Sequence, residues 1–340
     1  MSERGHLMSE PADEPDTGRA TGAGPDADAG PGRDASPGTG TVDAATDVFV
    51  DHRELLFSLV YNMLGSVADT EDVLQETWLA WTVRNAAADA GLIESPRAYL
   101  VRIAVNKALS RQAAISKRRE TYVGTWLPEP LVSTTDTPPP PEDEAAERAE
   151  RSESVSMAML VVLETLTPLE RAVFVLHEVF GYAHTETAEI LGRSPAAVRQ
   201  LAHRARDHVQ PRRPRFRPDP LVHRRVTERF LDAVFGGDLT ALMRLLAPDV
   251  TLWADGGGKS RAAGPRPVHG RDHVARLLIS RATALEGLAV KYRQVNGDPA
   301  AVLFSDDAPF AVMVLDLTPD GEQVRDIYNV TNPDKLPHLY

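Results

Sequence analysis

The chain of 340 residues contains no cysteine, which excludes disulfides, thiolate metal sites and cysteine nucleophiles. It lacks any apolar run approaching the ~18–20 residues of a membrane span, and its first residues lack the apolar centre of a signal peptide. It also lacks an internal repeat. These absences imply no membrane partner and a soluble, cytoplasmic protein in a reducing compartment. A nucleotide-binding loop is missing by one residue. "GGGKS" at 256–260 ends like a phosphate cradle, but the first glycine such a loop needs falls on Trp253. The "RAAGPRPVHG" that follows is broken by two prolines and two glycines, so it opens no helix to hold phosphates.

Positive charge is scarce overall, with a formal net charge of −12, yet it is not evenly scarce. Residues 1–46 carry nine acidic side chains against three arginines in a Gly/Pro/Ala/Asp-rich context, the composition of a disordered acidic tail. Residues 97–119 reverse this, with Arg97, Arg102, Lys107, Arg111, Lys117, Arg118 and Arg119 and no acid at all. Residues 194–217 hold seven arginines against Asp207. Two basic blocks in an acidic chain point to nucleic acid more firmly than the overall charge points away from it.

Apolar residues recur at helical spacing from Val48 to about Ala87, and a third helix is expected from Ser95-Pro96 to about Ser116, with Ser95 as cap and Pro96 at the first helical position. This gives a helical unit over 47–119. Residues 120–153 read as a linker containing "WLPEP" and a Pro run. A second helical unit spans 154–212, and a third segment, 221–340, begins with helices and continues as strands at about 288–295, 300–304, 310–317 and 322–330, an α+β pattern.

In the second unit Thr167-Pro168-Leu169-Glu170 forms a capping box, 184–191 forms a short helix stopped at Gly192, and Ser194-Pro195 starts another. On that last helix Val198, Leu201, Ala202, Ala205 and Val209 share an apolar arc, with Arg199, Gln200, His203, Arg204 and Arg206 opposite. These are the parts of a helix-turn-helix, whose exposed Arg and Gln can read base edges. Ala183 stands where a Ser or Thr cap is usual, so this helix start keeps only Glu186 from its capping box.

"DTEDVLQETWLAW" (69–81), "SPRAYLVRIAVNKALSRQ" and the helix-turn-helix, in this order over 48–210, resemble sigma factors of the extracytoplasmic-function type. The resemblance implies two all-α sigma domains joined by a flexible linker, with RNA polymerase core (β and β′ subunits) and promoter DNA as partners. It implies core polymerase contacts at Asp69, Asp72, Gln75, Glu76, Trp78 and Trp81. It further implies −10 contacts at Arg102, Asn106, Lys107, Arg111, Lys117, Arg118 and Arg119, and −35 contacts at Ser194, Arg199, Gln200, His203, Arg204 and Arg206.

"RFLDAVFGGDLTALMRLLAPDVTLWADGGG" resembles the start of SnoaL-like domains of the NTF2-like superfamily. One subgroup of these sigma factors carries such an extension, marked by a D-G-G-G-[KR] run, a W-L-P-E-P run and an N-P-D-K-L run. Here these are Asp255, Gly256, Gly257, Gly258 and Lys259; Trp126, Leu127, Pro128, Glu129 and Pro130; and Asn332, Pro333, Asp334, Lys335 and Leu336. The resemblance implies a fused regulatory domain. The linker run is expected to lie against the third segment, with Lys335 paired to an acid and Lys259 in an interdomain contact. Asp255 and His269 are the acid/base candidates if the extension is an enzyme. The competing roles are a hydrogen-bond acceptor for the glycine-run amides and a cap for the helix after Gly270. No second carboxylate has a defined partner, so the extension reads as a regulatory domain with room for a small-molecule ligand. No catalytic residue, cofactor or metal site is implied. The rival of another class is a ligand-responsive helix-turn-helix regulator that binds DNA without polymerase, which would not need "DTEDVLQETWLAW".

Overall fold

Three helices build the first unit: α1 (Thr39–Leu64), α2 (Val67–Ala86) and α3 (Pro96–Glu120). They come from a computed structural model that describes residues 39–86, 93–133, 155–210 and 218–336. The tail before Thr39, the Pro run after Thr137 and the arginines at 212–217 lie outside the described residues. Helix α1 begins inside the segment expected to be disordered. Ala45 and Phe49 are buried in the core, and the Ala45 carbonyl accepts a 2.7 Å hydrogen bond from Trp81 Nε1, which gives this stretch a tertiary reason to be helical. Ser95 Oγ caps α3 by accepting from the Ala98 amide, with Pro96 opening the helix.

The second unit contains α4 (Met157–Leu163), α5 (Pro168–Phe174) with a π-turn continuation (Val175–Val179), α6 (His184–Leu191) and α7 (Pro195–Val209). The Thr167–Glu170 capping box is formed in both directions. At α6, Ala183 supplies no side-chain cap and Glu186 Oε2 accepts from the Ala183 amide at 2.7 Å. The two units are not separate beads. Leu56, Leu59, Leu100 and Ala104 of the first share one buried apolar cluster with Leu160, Val173, Leu176 and Ile190 of the second.

The third domain opens with α8 (Pro220–Phe235) and α9 (Leu239–Leu245). Strand β1 (Leu246–Asp255), strand β2 (Val268–His269) and α10 (Arg271–Ser280) follow, and β3 (Ala289–Val295), β4 (Asp298–Ser305), β5 (Ala308–Leu317) and β6 (Val324–Val330) complete it. The sheet order is β2-β1-β6-β5-β4-β3, with β1 and β6 parallel and every other pair antiparallel. Asp306 and Asp307 take positive φ in the β4–β5 turn, a conformation that short polar side chains tolerate.

Both faces of this sheet are covered. On one, Phe230, Leu242 and Val274 of the helices pack against Leu252, Leu303 and Ile327. On the other, Leu127 of the linker and Met157 of α4 pack against Val302, Val312, Val314 and Tyr328. Double burial explains why β4 reads as an unbroken apolar run, Ala300 to Phe304, instead of alternating. The linker also extends the sheet. Val132 pairs antiparallel with Val295 of edge strand β3, the Ser133 amide donates to Gln294 O, and the Asn296 amide donates to Leu131 O, both at 2.9 Å.

Candidate functional site

Helix α2 carries mostly acidic and α3 mostly basic side chains, and the two sets neutralise one another. Asp69 is buried and accepts from Arg118 at 2.5 Å, with Arg111 Nε 3.5 Å from its other oxygen. Arg111 also pairs with Asp72, and Lys107 Nζ lies 3.1 Å from Glu76. All three acidic residues expected to face polymerase, and three of the six basic residues expected to face the −10 element, are therefore engaged with each other. Gln75, Arg102 and Lys117 are exposed. Trp81 is a core residue, buried to 3 % exposure because its ring fills the gap beside α1, so its expected polymerase contact is corrected to a packing role. Trp78 is half-buried against the same core. What α2 does expose is an apolar pair one turn apart, Leu79 and Val83, and α1 exposes Val50. Arg119 is also placed elsewhere than expected. It is bonded to Glu164, the C-cap of α4, and lies with its guanidinium 4.8 Å from the Trp126 ring centroid, inside the junction and not on a phosphate-facing surface.

On α7, Ser194 Oγ caps the helix by accepting from Ala197, and Val198, Ala202, Ala205 and Val209 are buried. Arg199 and Gln200 are exposed. His203 pairs with Asp207 at 2.8 Å, Arg204 with Glu170 at 3.0 Å and Arg206 with Glu178 at 2.7 Å. The last two hold α7 against α5. The most consequential contact lies between the two helical units: Asn106 Nδ2, on the outer face of α3, donates to the Ile190 carbonyl of α6 at 3.2 Å. A candidate −10 residue thus touches the first helix of the helix-turn-helix, while the candidate −35 residues Arg199 and Gln200 on α7 stay exposed.

The three marker runs converge at one junction. Asp255 has no exposed surface, and its carboxylate accepts from Lys335 Nζ (2.7 Å), the Leu127 amide (2.9 Å), the Gly257 amide (3.2 Å) and the Tyr122 hydroxyl. Lys335 Nζ also donates to Leu127 O at 2.5 Å and sits 3.6 Å from the Trp126 ring centroid. Burial lowers the pKa of this ammonium, and the charge and hydrogen bond of Asp255 oppose that. Burial, then the neighbouring carboxylate, push the Tyr122 phenol up, which keeps it a donor. Gly257 and Gly258 both have positive φ, and a Cβ at Gly257 would come within 2.5 Å of the Asn332 amide, so the run needs glycine for conformation and for space. Asn332 Nδ2 in turn donates to the Tyr122 hydroxyl at 2.8 Å. Lys259, expected in an interdomain contact, pairs instead with Asp334 at 2.5 Å, inside the third domain.

The linker run has a second face. Glu129 is buried, its Oε2 accepts from the Val67 amide at the start of α2 at 2.6 Å, and its own amide donates to Gly65 O at 2.9 Å. Carboxylate at a helix N-terminus satisfies an orphan amide and the helix dipole together. Tyr61 donates to Glu129 O at 2.5 Å and accepts from Asn296 Nδ2 at 2.9 Å, joining α1, linker and third domain at one point. Arg171, buried, donates to Asn62 O at 3.0 Å and pairs with Glu164 at 2.7 Å. Burial alone would raise the Glu164 carboxyl, but Arg171 and Arg119 outweigh it and hold it below its ordinary value. Tyr61, Tyr122, Glu164, Arg171 and Asn296 carry no motif that sequence reading could have used, apart from the position of Tyr122 four residues before Trp126.

The acid/base pair considered for an enzyme is not assembled. Asp255 is committed to the junction, and His269 Nδ1 lies 3.1 Å from Thr251 Oγ1. His269 does not cap α10 either, since Gly270 occupies the cap position with no side-chain bond. Among the described residues no group of three or more His, Asp or Glu is placed to hold a metal ion, and no helix is long and apolar enough to cross a membrane.

Residues 48–119 match the family described as Sigma-70 region 2, and residues 156–209 match Sigma-70, region 4. Over 296 residues the chain is 37% identical to the ECF RNA polymerase sigma factor SigJ of Mycobacterium tuberculosis, covering 84% of this chain and 90% of that protein. It is 30% identical to the probable ECF RNA polymerase sigma factor SigI of the same species, covering 85% and 93% respectively. The crystal structure of the M. tuberculosis SigJ superposes with a TM-score of 0.65 at 36% identity, over 85% of this chain and 97% of that one. With the two helical units, the helix-turn-helix and the sheet-containing extension all aligned to such a relative, this chain belongs to the ECF RNA polymerase sigma factors.

Proposed function

We propose that this alternative sigma factor is held closed by its own third domain, and that opening frees it to direct core polymerase to promoters. The observation that carries this is the Asn106–Ile190 contact, because it ties a candidate −10 residue of α3 to α6, the first helix of the helix-turn-helix. A −10 strand that takes the Asn106 amide displaces its bond to α6, so full engagement of α3 requires α6 to move. The linker run keeps the units in that arrangement, since Trp126 and Leu127 bind the third domain while Glu129 binds α2.

In the open state Arg102, Asn106, Lys107, Arg111 and Lys117 serve the −10 element, the first as an exposed cation and Lys107 and Arg111 after release from Glu76 and Asp72. Arg199 and Gln200 read the −35 duplex, with Ser194 and His203 at the flanks. Contact with the β and β′ subunits of the core uses Asp72, Gln75 and Glu76 together with the exposed Leu79 and Val83. Run-off transcription with purified core polymerase on a promoter library tests the reading. The full chain and a chain ending at Pro220 are expected to give different promoter-dependent output. Equal output would remove the regulatory role of the extension; no core binding, with tight binding to duplex alone, would replace the polymerase reading by an autonomous regulator.

A further inference from the structure

The concave side of the third domain encloses a cavity of about 90 Å³. Its walls are apolar, with Leu231, Leu252, Leu277, Phe310 and Met313 among them. Four wall residues break this pattern: Arg266, Arg281, Asn329 and Thr331. Asn329 points inward from β6, beside Ala254 of β1 and Met313 of β5 in register, and its Oδ1 is sealed from solvent without accepting a hydrogen bond. The neighbouring polar groups are already used. Thr331 Oγ1 donates to Asp255 O at 3.2 Å, and Arg281 Nη1 donates to Ala262 O at 2.6 Å and Arg261 O at 3.3 Å. Arg266 lines the same space but is exposed, so its charge lies at the solvent side.

A buried carbonyl oxygen with no partner costs desolvation free energy that nothing within the fold returns. It acquires a purpose if a donor arrives from outside. We infer that this cavity is a binding site for a small, mostly apolar, neutral molecule that carries one hydrogen-bond donor, seated with that donor on Asn329 Oδ1. An apolar cavity of about 150 Å³ takes a six-carbon ring, so the space here suits roughly four heavy atoms as it stands and a five-membered ring with slight movement of its walls. The position ties occupancy to the junction. Ala254 and Thr331, both lining the cavity, bracket Asp255: one precedes it in β1 and the other donates its amide to Asp255 O at 2.7 Å.

The inference gives the small-molecule expectation for the third domain a site and a chemistry, and it stands apart from the polymerase reading because binding is observed directly. Pyrrole and furan are five-membered aromatic rings of nearly equal size, and only pyrrole has an N–H to donate. Each is titrated into the full chain with methyl-labelled Leu, Val and Met, observing the methyl signals of Met313, Leu252, Leu277 and Val234 by NMR. Saturable shifts confined to these methyls are expected, with pyrrole binding about tenfold more tightly than furan, as one satisfied hydrogen bond provides. Asn329→Leu is expected to erase the preference. Equal affinities on the unmodified chain, no saturable shift with either ring, or a preference that survives in a folded Asn329→Leu would each overturn the inference. The comparison of the two rings on the unmodified chain decides the matter if that variant does not fold.

Discussion

Replacing Asp255 by Asn should open the molecule without unfolding its third domain. The side chain has no exposed surface, and its four donors are Lys335 Nζ, the Tyr122 hydroxyl and the Leu127 and Gly257 amides. An Asn amide keeps one acceptor oxygen and turns an NH₂ toward the remaining donors, while Lys335 loses its counter-charge in a buried site. Removing one partner of a buried ion pair costs roughly 3–5 kcal/mol. Two of the four donors belong to the linker, so releasing the linker lets water reach Lys335 and recovers most of that cost. The closed-to-open ratio should therefore fall by roughly two to four orders of magnitude. The chain has no cysteine, so Glu94→Cys and Glu322→Cys, both at exposed positions, take a pair of dyes cleanly. Energy transfer should drop in Asp255→Asn while circular dichroism of the sheet is kept. Adding Lys335→Met removes the orphaned ammonium and keeps an apolar stem against Trp126, so the double variant should close again in part. If the double variant is as open as Asp255→Asn, or if the sheet melts while the dyes stay close, the argument from an orphaned charge fails.

Two further outcomes follow from groups outside that pair. Tyr61→Phe leaves the Glu129 carbonyl and the Asn296 amide buried without their shared partner, so a loss of about 1–3 kcal/mol in urea denaturation is expected, along with faster proteolytic cleavage of the linker near Val123; no change in either would show the hydroxyl to be idle. Asp326 is raised from 3.8 to about 6, first by burial and then by Asp316, against the Trp253 hydrogen bond and Arg325. A carboxyl raised on folding binds its proton more tightly in the folded chain, so its contribution is complete below pH 3.8 and is lost as pH rises through 6. That loss is about 3 kcal/mol. Asp326→Asn keeps an acceptor for Trp253 Nε1 and has no charge to desolvate, so it should be more stable than the parent chain at pH 8 and show no gain near pH 4. A gain of equal size at both pH values would assign the effect to packing.

Local signals carried most of the fold. The Thr167–Glu170 box, Ser95 and Ser194 each report on a few adjacent residues, and each starts a helix where its spacing says it should. Four of the six third-domain strands, β3 to β6, were legible for the same reason, with turn chemistry at Asp306-Asp307 and in "TPDGE" bounding apolar runs. The relation between helices was not legible. Asp69, Asp72 and Glu76 form an acidic stripe when α2 is read alone, and Lys107, Arg111 and Arg118 a basic stripe when α3 is read alone. Only their packing shows that each is the other's counter-ion. Glu129 was hidden by the same blindness to long range: its carboxylate caps a helix whose first residue lies 62 positions earlier.

The chemistry of the junction also suits release better than permanent closure. Asp255, Lys335, Glu129 and Tyr61 are buried polar groups whose mutual satisfaction depends on every partner being in place. Hydrophobic side chains of similar volume would commonly hold two surfaces as firmly as such a buried pair, and they would tolerate small displacements. A polar junction loses several contacts at once when Asp255 shifts, and Asp255 is bonded through its own backbone to Thr331 beside the cavity. A contact that fails cooperatively under a displacement of its central residue is a two-state element. On the proposed function, that element stands between the third domain and the Asn106–Ile190 bond that joins α3 to the helix-turn-helix.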